Sequence, residues 1–179
     1  KGIGFGHIAR CVSLCQAFEK RKVEPDLIVN GDASILDLLN GRNYKIFNWI
    51  KEKDRLLGCI KNSDVVIMDS YLADKTLYKE ILKVSSCKIL AMIDDYRRID
   101  YPDGIVVNPS IYGEKLNYPK KDGLIYLSGK DYIILRKEFW KAAVKKINKD
   151  IKNILITFGG INYSDRVYKI VNYLENKFN

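Results

Sequence analysis

Gly4-Phe5-Gly6-His7 places the chain's one histidine where a glycine turn enters an amphipathic helix. Glycines let the backbone turn tightly and approach a ligand, and the free N–H groups and dipole of a helix start favour an anion there. Imidazole titrates near neutral pH, so His7 is a candidate general base toward water. The same four residues also fit an ordinary tight turn with a histidine cap. Further candidates are expected on the same rim. Asp69-Ser70-Tyr71 closes an apolar run, where Tyr71 could hydrogen-bond a substrate or position a water, or simply finish a strand-end turn. Asp94 and Asp95 end the next run and suit sugar hydroxyls, a pairing with Arg97 or Arg98, or a turn cap. Asn108 follows Ile105-Val106-Val107. Gly159-Gly160 repeat the first design in a later unit, where the following Asp165 favours the helix dipole in any protein and receives no chemical role.

These groups need strands that end together and helices that begin beside them. Ile8, Cys11, Val12, Leu14, Cys15 and Phe18 form one stripe of a helix running from His7 to about Lys22. Residues 26–30 read as a short buried strand, Asp32 as the cap of a helix through Leu39 that stops at Asn40-Gly41, 44–47 as a strand, and 49–61 as a helix. The run 64–69 is near-continuously apolar, as a parallel strand covered on both faces requires. A helix over 74–84 and strands at 87–93, 105–107 and 124–127 follow, then an amphipathic helix from Leu135 to about Ile147. The pattern restarts with a strand over 151–158 and a helix from Ser164 to about Phe178.

Repeated strand–helix alternation predicts an α/β fold with a Rossmann-like parallel sheet. A Gly-x-Gly-His helix start is expected to follow a central strand, yet only three residues precede Gly4, and the chain opens on Lys1 without a Met. The reading is therefore a first domain over 1–148 lacking its first strand, and the opening strand and helix of a second domain over 149–179.

The net charge of +9 suits an anionic partner, but lysines are spread along the whole chain, as on a solvated surface, and no nucleic-acid motif accompanies them. Apolar runs fall far short of membrane-spanning length, so stable membrane insertion is not expected. Cys11 and Cys15 are four apart on one helix face, away from Cys-x-x-Cys geometry, and one histidine leaves no second ligand cluster for zinc. Reduced, mostly buried thiols in a cytoplasmic protein without metal or cofactor are expected.

The series from Gly4 to Cys11, Met68 to Tyr71, Ile93 to Asp95, Asn108-Pro109, Tyr132 to Phe139 and Ile154 to Gly160 resembles, in order, the PseG/SpsG-like UDP-sugar hydrolases of pseudaminic acid and spore coat polysaccharide biosynthesis. The resemblance covers essentially the whole chain. It implies the N-terminal half of a GT-B fold and metal-independent hydrolysis of a UDP-linked 2,4-diacetamido-trideoxy sugar to UDP and free sugar, with water attacking at the anomeric carbon. It casts His7 as the base and Tyr71 as the strand-end tyrosine. Gly4, Gly6, Arg10, Asp94, Asp95, Asn108, Gly159 and Gly160 become the substrate-binding set. The family often carries Asp one residue beyond its Gly-Gly pair, where this chain has Ile161-Asn162.

Three other functions fit the pattern less closely. On the same architecture a glycosyltransferase would use His7 on an acceptor hydroxyl, although the first domain shows no apolar acceptor patch. A non-catalytic nucleotide-sugar-binding module is a second alternative. A dinucleotide-dependent oxidoreductase lacks the third glycine of its fingerprint and has only Glu24 and Asp26 as weak acidic candidates. Because GT-B enzymes hold the nucleotide mainly through the C-terminal domain, the 179-residue chain by itself is expected to release no UDP from a UDP-sugar, which a coupled UDP assay checks.

Overall fold

Apolar runs too short for helices and bounded by polar turns become the strands of two parallel sheets. The computed structural model describes residues 5–84, 86–144, 146–147, 149–151, 153–157 and 164–178. Helix α1 (Gly6–Glu19) leads to strand β1 (Leu27–Val29), a single 3-10 turn (Ala33–Ile35) and helix α2 (Leu36–Leu39), then strand β2 (Tyr44–Ile46) and helix α3 (Lys53–Ile60). Strand β3 (Val65–Asp69), helix α4 (Lys75–Val84) and strands β4 (Ile89–Ile93), β5 (Gly104–Asn108) and β6 (Leu124–Ser128) follow, and helix α5 (Ser164–Phe178) ends the chain. Strands β1 and β2 pair in parallel, and β3-β4-β5-β6 form a second sheet whose neighbours are all parallel. The α/β, Rossmann-like class expected from the alternation is the one observed.

Two apolar clusters hold these layers. Ile8 and Val12 of α1 pack with Ile35 and Leu39 and against Leu27, Val29 and Ile46 of the small sheet. The larger cluster joins Leu56 and Ile60 of α3 and Leu77, Tyr78 and Ile81 of α4 to Leu90, Met92 and Val106 of the larger sheet. Strand β4 is flanked on both sides, which is why Leu90, Ala91, Met92 and Ile93 are all buried.

Register matters more for function. Asp69 pairs with Ile93, Ile93 with Val107, and Asn108 with Ser128, so the carboxyl ends of all four strands reach one rim. That rim is where open α/β sheets take ligands.

Several expectations need correction. Helix α3 begins at Lys53 rather than Trp49, because Asn48 binds the backbone N–H of Lys51 and turns the chain so that Trp49 enters the core. Among the described residues of 135–147 the expected amphipathic helix does not form. Only a 3-10 turn, Lys137–Phe139, forms there, held by Gln16 accepting from the Lys137 N–H and by the Trp140 indole donating to the Leu135 carbonyl. Beyond it Val144 and Ile147 are fully exposed, and an apolar stripe with nothing to pack on does not hold a helix. The described residues of 151–157 form no strand, since a strand exists only by pairing with another backbone. Phe158, with which that strand was expected to end, lies outside the described residues, as do Gly4, Gly159 and Gly160. Helix α5 forms over the expected span. Among the described residues no helix is long and apolar enough to cross a membrane.

Gly104 opens β5 at φ 133°, where a side chain is strained, and a Cβ there would sit 2.5 Å from the Leu90 carbonyl oxygen of β4. Gly104→Ala should therefore lower stability by roughly 1–3 kcal/mol, read as a lower urea midpoint with unchanged m-value.

Candidate functional site

His7 and Arg10 lie three residues apart in the first turns of α1, a spacing that puts them on one helix face. That face meets the carboxyl ends of β3 and β4. Asp69, the last residue of β3, has a fully buried side chain and accepts from both partners: His7 Nδ1 lies 2.6 Å from Asp69 Oδ1, Arg10 Nε 2.6 Å from Oδ2 and Arg10 Nη2 2.7 Å from Oδ1. Arg10 also donates to Asp95, through Nη1 at 2.7 Å and Nη2 at 3.1 Å. Asp95 in turn accepts from the Tyr71 hydroxyl at 2.7 Å, and the Tyr71 ring stands edge-on to the His7 ring with centroids 4.4 Å apart. One cation thus joins two carboxylates, each of which holds one member of the His7–Tyr71 pair.

Each shift in acidity follows from this arrangement. Burial pulls the Arg10 pKa down, but the hydrogen bonds and charges of Asp69 and Asp95 outweigh it and raise the pKa above its ordinary value. Burial pushes Asp95 up, yet Arg10 and Tyr71 hold its carboxyl below the usual range. Tyr71 is raised by burial first and then by its bond to Asp95, so its phenol stays protonated and donating. Cys11, beneath the same face, is pushed up to about 12 by burial and then by the Asp69 charge, and at neutral pH it is an unreactive thiol. All four cysteines are free. Cys15 alone is buried and the other three are half-buried, less enclosed than expected.

A carboxylate only accepts, so the 2.6 Å contact puts the His7 proton on Nδ1 and leaves the Nε2 lone pair for a ligand. The imidazole keeps 18% of its side-chain surface exposed, which is enough for contact with a water.

The remaining candidates divide. Gly6, in the first turn of α1, has open space where a Cβ would sit, so a ligand can come close to the backbone there. Asp94 and Asn108 are turned inward. Both are buried. Asp94 accepts from the backbone N–H groups of Tyr96 and Arg98 and from the Tyr118 hydroxyl, and Asn108 binds Tyr118 and the Ser110 N–H. These are internal bonds that shape the loops after β4 and β5, so the turn-cap alternative describes Asp94. Asp95 pairs with Arg10 rather than with Arg97 or Arg98. Arg10 itself is committed to Asp69 and Asp95 and acts as a brace rather than a free anion partner. Asp69 was not among the candidates. Its signal was an acid ending an apolar strand, matched by the three-residue spacing of His7 and Arg10. Among the described residues no group of three or more His, Cys, Asp or Glu side chains could hold a metal ion.

The chain is similar to two curated proteins. One is the uncharacterized protein MJ1062 of Methanocaldococcus jannaschii, 31% identical over 98% of this chain and 38% of that protein. The other is the spore coat polysaccharide biosynthesis protein SpsG of Bacillus subtilis, 25% identical over 94% of this chain and 50% of SpsG. The chain therefore spans half or less of the length of these relatives. No family model and no solved structure matches it.

The brace makes a pH-dependent prediction. Asp95 has a lowered folded-state pKa, so its contribution to stability is present above the unfolded carboxyl value of about 4 and is lost as pH falls below it. Arg10→Met removes the cation shared by Asp69 and Asp95 and leaves them only the His7 and Tyr71 hydrogen bonds. The stability deficit of Arg10→Met, roughly 3 kcal/mol at pH 7, should shrink as the pH approaches about 4 and Asp95 protonates, measured by urea unfolding across that range.

Proposed function

We propose that this chain carries the water-activating half of a hydrolase acting on a nucleotide-linked sugar. The observation that carries the reading is the 2.6 Å contact between His7 Nδ1 and the fully buried Asp69 carboxylate, at the carboxyl rim of a parallel sheet. A buried acid that holds one imidazole nitrogen fixes the tautomer and ring orientation and offsets the charge formed when the other nitrogen takes a proton.

In this reading water sits between His7 Nε2 and the anomeric carbon of the sugar. Its oxygen forms the new bond to that carbon as the glycosidic C–O bond breaks. The bonding pair leaves with the nucleotide diphosphate, and the water proton passes to Nε2. Tyr71 already donates to Asp95, so its hydroxyl lone pairs are left to accept from the water and orient it. Asp69 and Arg10 act through His7 and Asp95 and are positioning residues. Similarity to SpsG, named for spore coat polysaccharide biosynthesis, supports a sugar-linked substrate. UDP as the nucleotide, a 2,4-diacetamido-trideoxy sugar and a place in pseudaminic acid biosynthesis belong to the proposal, as does the division into a domain over 1–148 and the start of a nucleotide-holding domain over 149–179, with Gly159 and Gly160 in the substrate-binding set.

The test uses the full-length protein, a UDP-linked diacetamido sugar and no added acceptor. Stoichiometric release of UDP and free sugar is expected, with His7→Gln lowering kcat by about 10²–10⁴-fold and changing KM little. Release that begins only when a carbohydrate or lipid alcohol is added would replace hydrolysis with glycosyl transfer. Equal turnover by wild type and His7→Gln would remove the imidazole from the chemistry.

A further inference from the structure

Beside the His7 network, an open cavity of about 760 Å³ lies between loop 96–100, after β4, and loop 115–119, before β6. It adjoins the network through Tyr96, whose ring centroid is 6.1 Å from that of Tyr71 and which also lines the cavity. Its volume falls in the range of small-molecule sites, roughly 300–1,000 Å³. None of the proposed hydrolytic chemistry uses it.

The lining is specific in kind. Tyr118 and Tyr126 stack with centroids 4.6 Å apart and form an aromatic wall. The Tyr118 hydroxyl is fixed by donating to buried Asp94, so the wall is rigid. Arg97, Arg98 and Lys115 bring three positive charges against the single acid Asp100, and Asp100 is already paired with Lys75 and lies 4.0 Å from Lys121. Arg98 is spent on the Ser70 carbonyl, whereas Arg97 and Lys115 pair with no carboxylate among the described residues. Arg97 holds φ at 55°, a left-handed conformation costing about 1 kcal/mol or more for a residue with a side chain. The loop keeps it because Asp94 ties down the backbone on either side, at Tyr96 and Arg98.

We infer that this cavity binds the acidic group of a phosphorylated or carboxylated sugar, with Arg97 and Lys115 as its anion partners and the Tyr118–Tyr126 pair as the wall for its ring. A guanidinium and an ammonium on opposite loops can reach different oxygens of one anion. Tyrosine rings offer an apolar face to the C–H side of a sugar while their hydroxyls stay hydrogen-bonded. The anion part stands on the cavity alone, and the sugar part rests on the nucleotide-sugar reading above.

The test titrates the full-length protein with glucose 1-phosphate, glucuronate, glucose and inorganic phosphate by calorimetry. Saturable binding of glucose 1-phosphate or glucuronate is expected, at least tenfold tighter than glucose and inorganic phosphate, and the tighter of the two sugar acids identifies the anion. Arg97→Gln and Lys115→Gln, both at exposed positions, should each weaken that binding roughly tenfold, while His7→Gln retains it. Absence of saturable binding by both sugar acids overturns the proposal, as does binding indifferent to Arg97→Gln and Lys115→Gln. Phosphate binding as tightly as glucose 1-phosphate overturns the sugar part. Since His7→Gln is read by UDP release and the cavity variants by titration, the two failures are distinguishable, and loss of the hydrolase reading leaves the anion part standing.

Discussion

The site depends on one guanidinium. Arg10 reaches from α1 to Asp69 at the end of β3 and Asp95 beyond the end of β4, and these ionic bonds tie the helix carrying His7 to the larger sheet. The apolar contacts of α1 lie elsewhere, with the small sheet and α2. Without the brace, two carboxylates would face each other across a partly buried rim, at a cost that hydrophobic packing of α1 does not offset. A flat, five-donor fork suits the task because it binds both acids at once, which a lysine ammonium cannot do in the same geometry.

The brace also distributes roles between two similar acids. Asp69 is fully buried and touches the imidazole, whereas Asp95 keeps some exposure and touches the phenol. Each candidate group thus has its own anchor, and both anchors share one cation. A change at Arg10 is felt at His7 and Tyr71 together, because Arg10 Nη2 lies 3.5 Å from His7 Nδ1 and shares Asp95 with the Tyr71 hydroxyl. This arrangement links the positions of His7 and Tyr71 to the packing of a helix against a sheet.

Asp94, next to Asp95, has a different fate. It turns inward to organise the loop that carries Tyr96, Arg97 and Arg98, and through Tyr118 it joins that loop to the one after β5. The rim therefore has two neighbouring polar centres, one built around a cation and one around a buried anion. The first orients the His7 imidazole and the second shapes a basic, aromatic cavity.

The sequence by itself was enough for the six strands of the two sheets, for most helices and for the rim. Apolar runs at 64–69 and 87–93 favour parallel strands, of which β4 is buried along most of its length and β3 only in part, and short periodic stretches such as 6–19 and 75–84 carry their own helical stripe. His7 and Tyr71 were legible because a glycine turn and a strand end are local signals. Tertiary structure alone decided which acid each residue meets. Asp69 and His7 are 62 residues apart in sequence, and no local pattern says that Asp95 turns toward Arg10 while Asp94 turns into the core. The same limit explains why the described residues of 135–147 form no α-helix and those of 151–157 no strand. Amphipathic periodicity and apolar runs state a preference, but a helix stripe needs a surface and a strand needs a neighbour, and both are supplied by other parts of a fold.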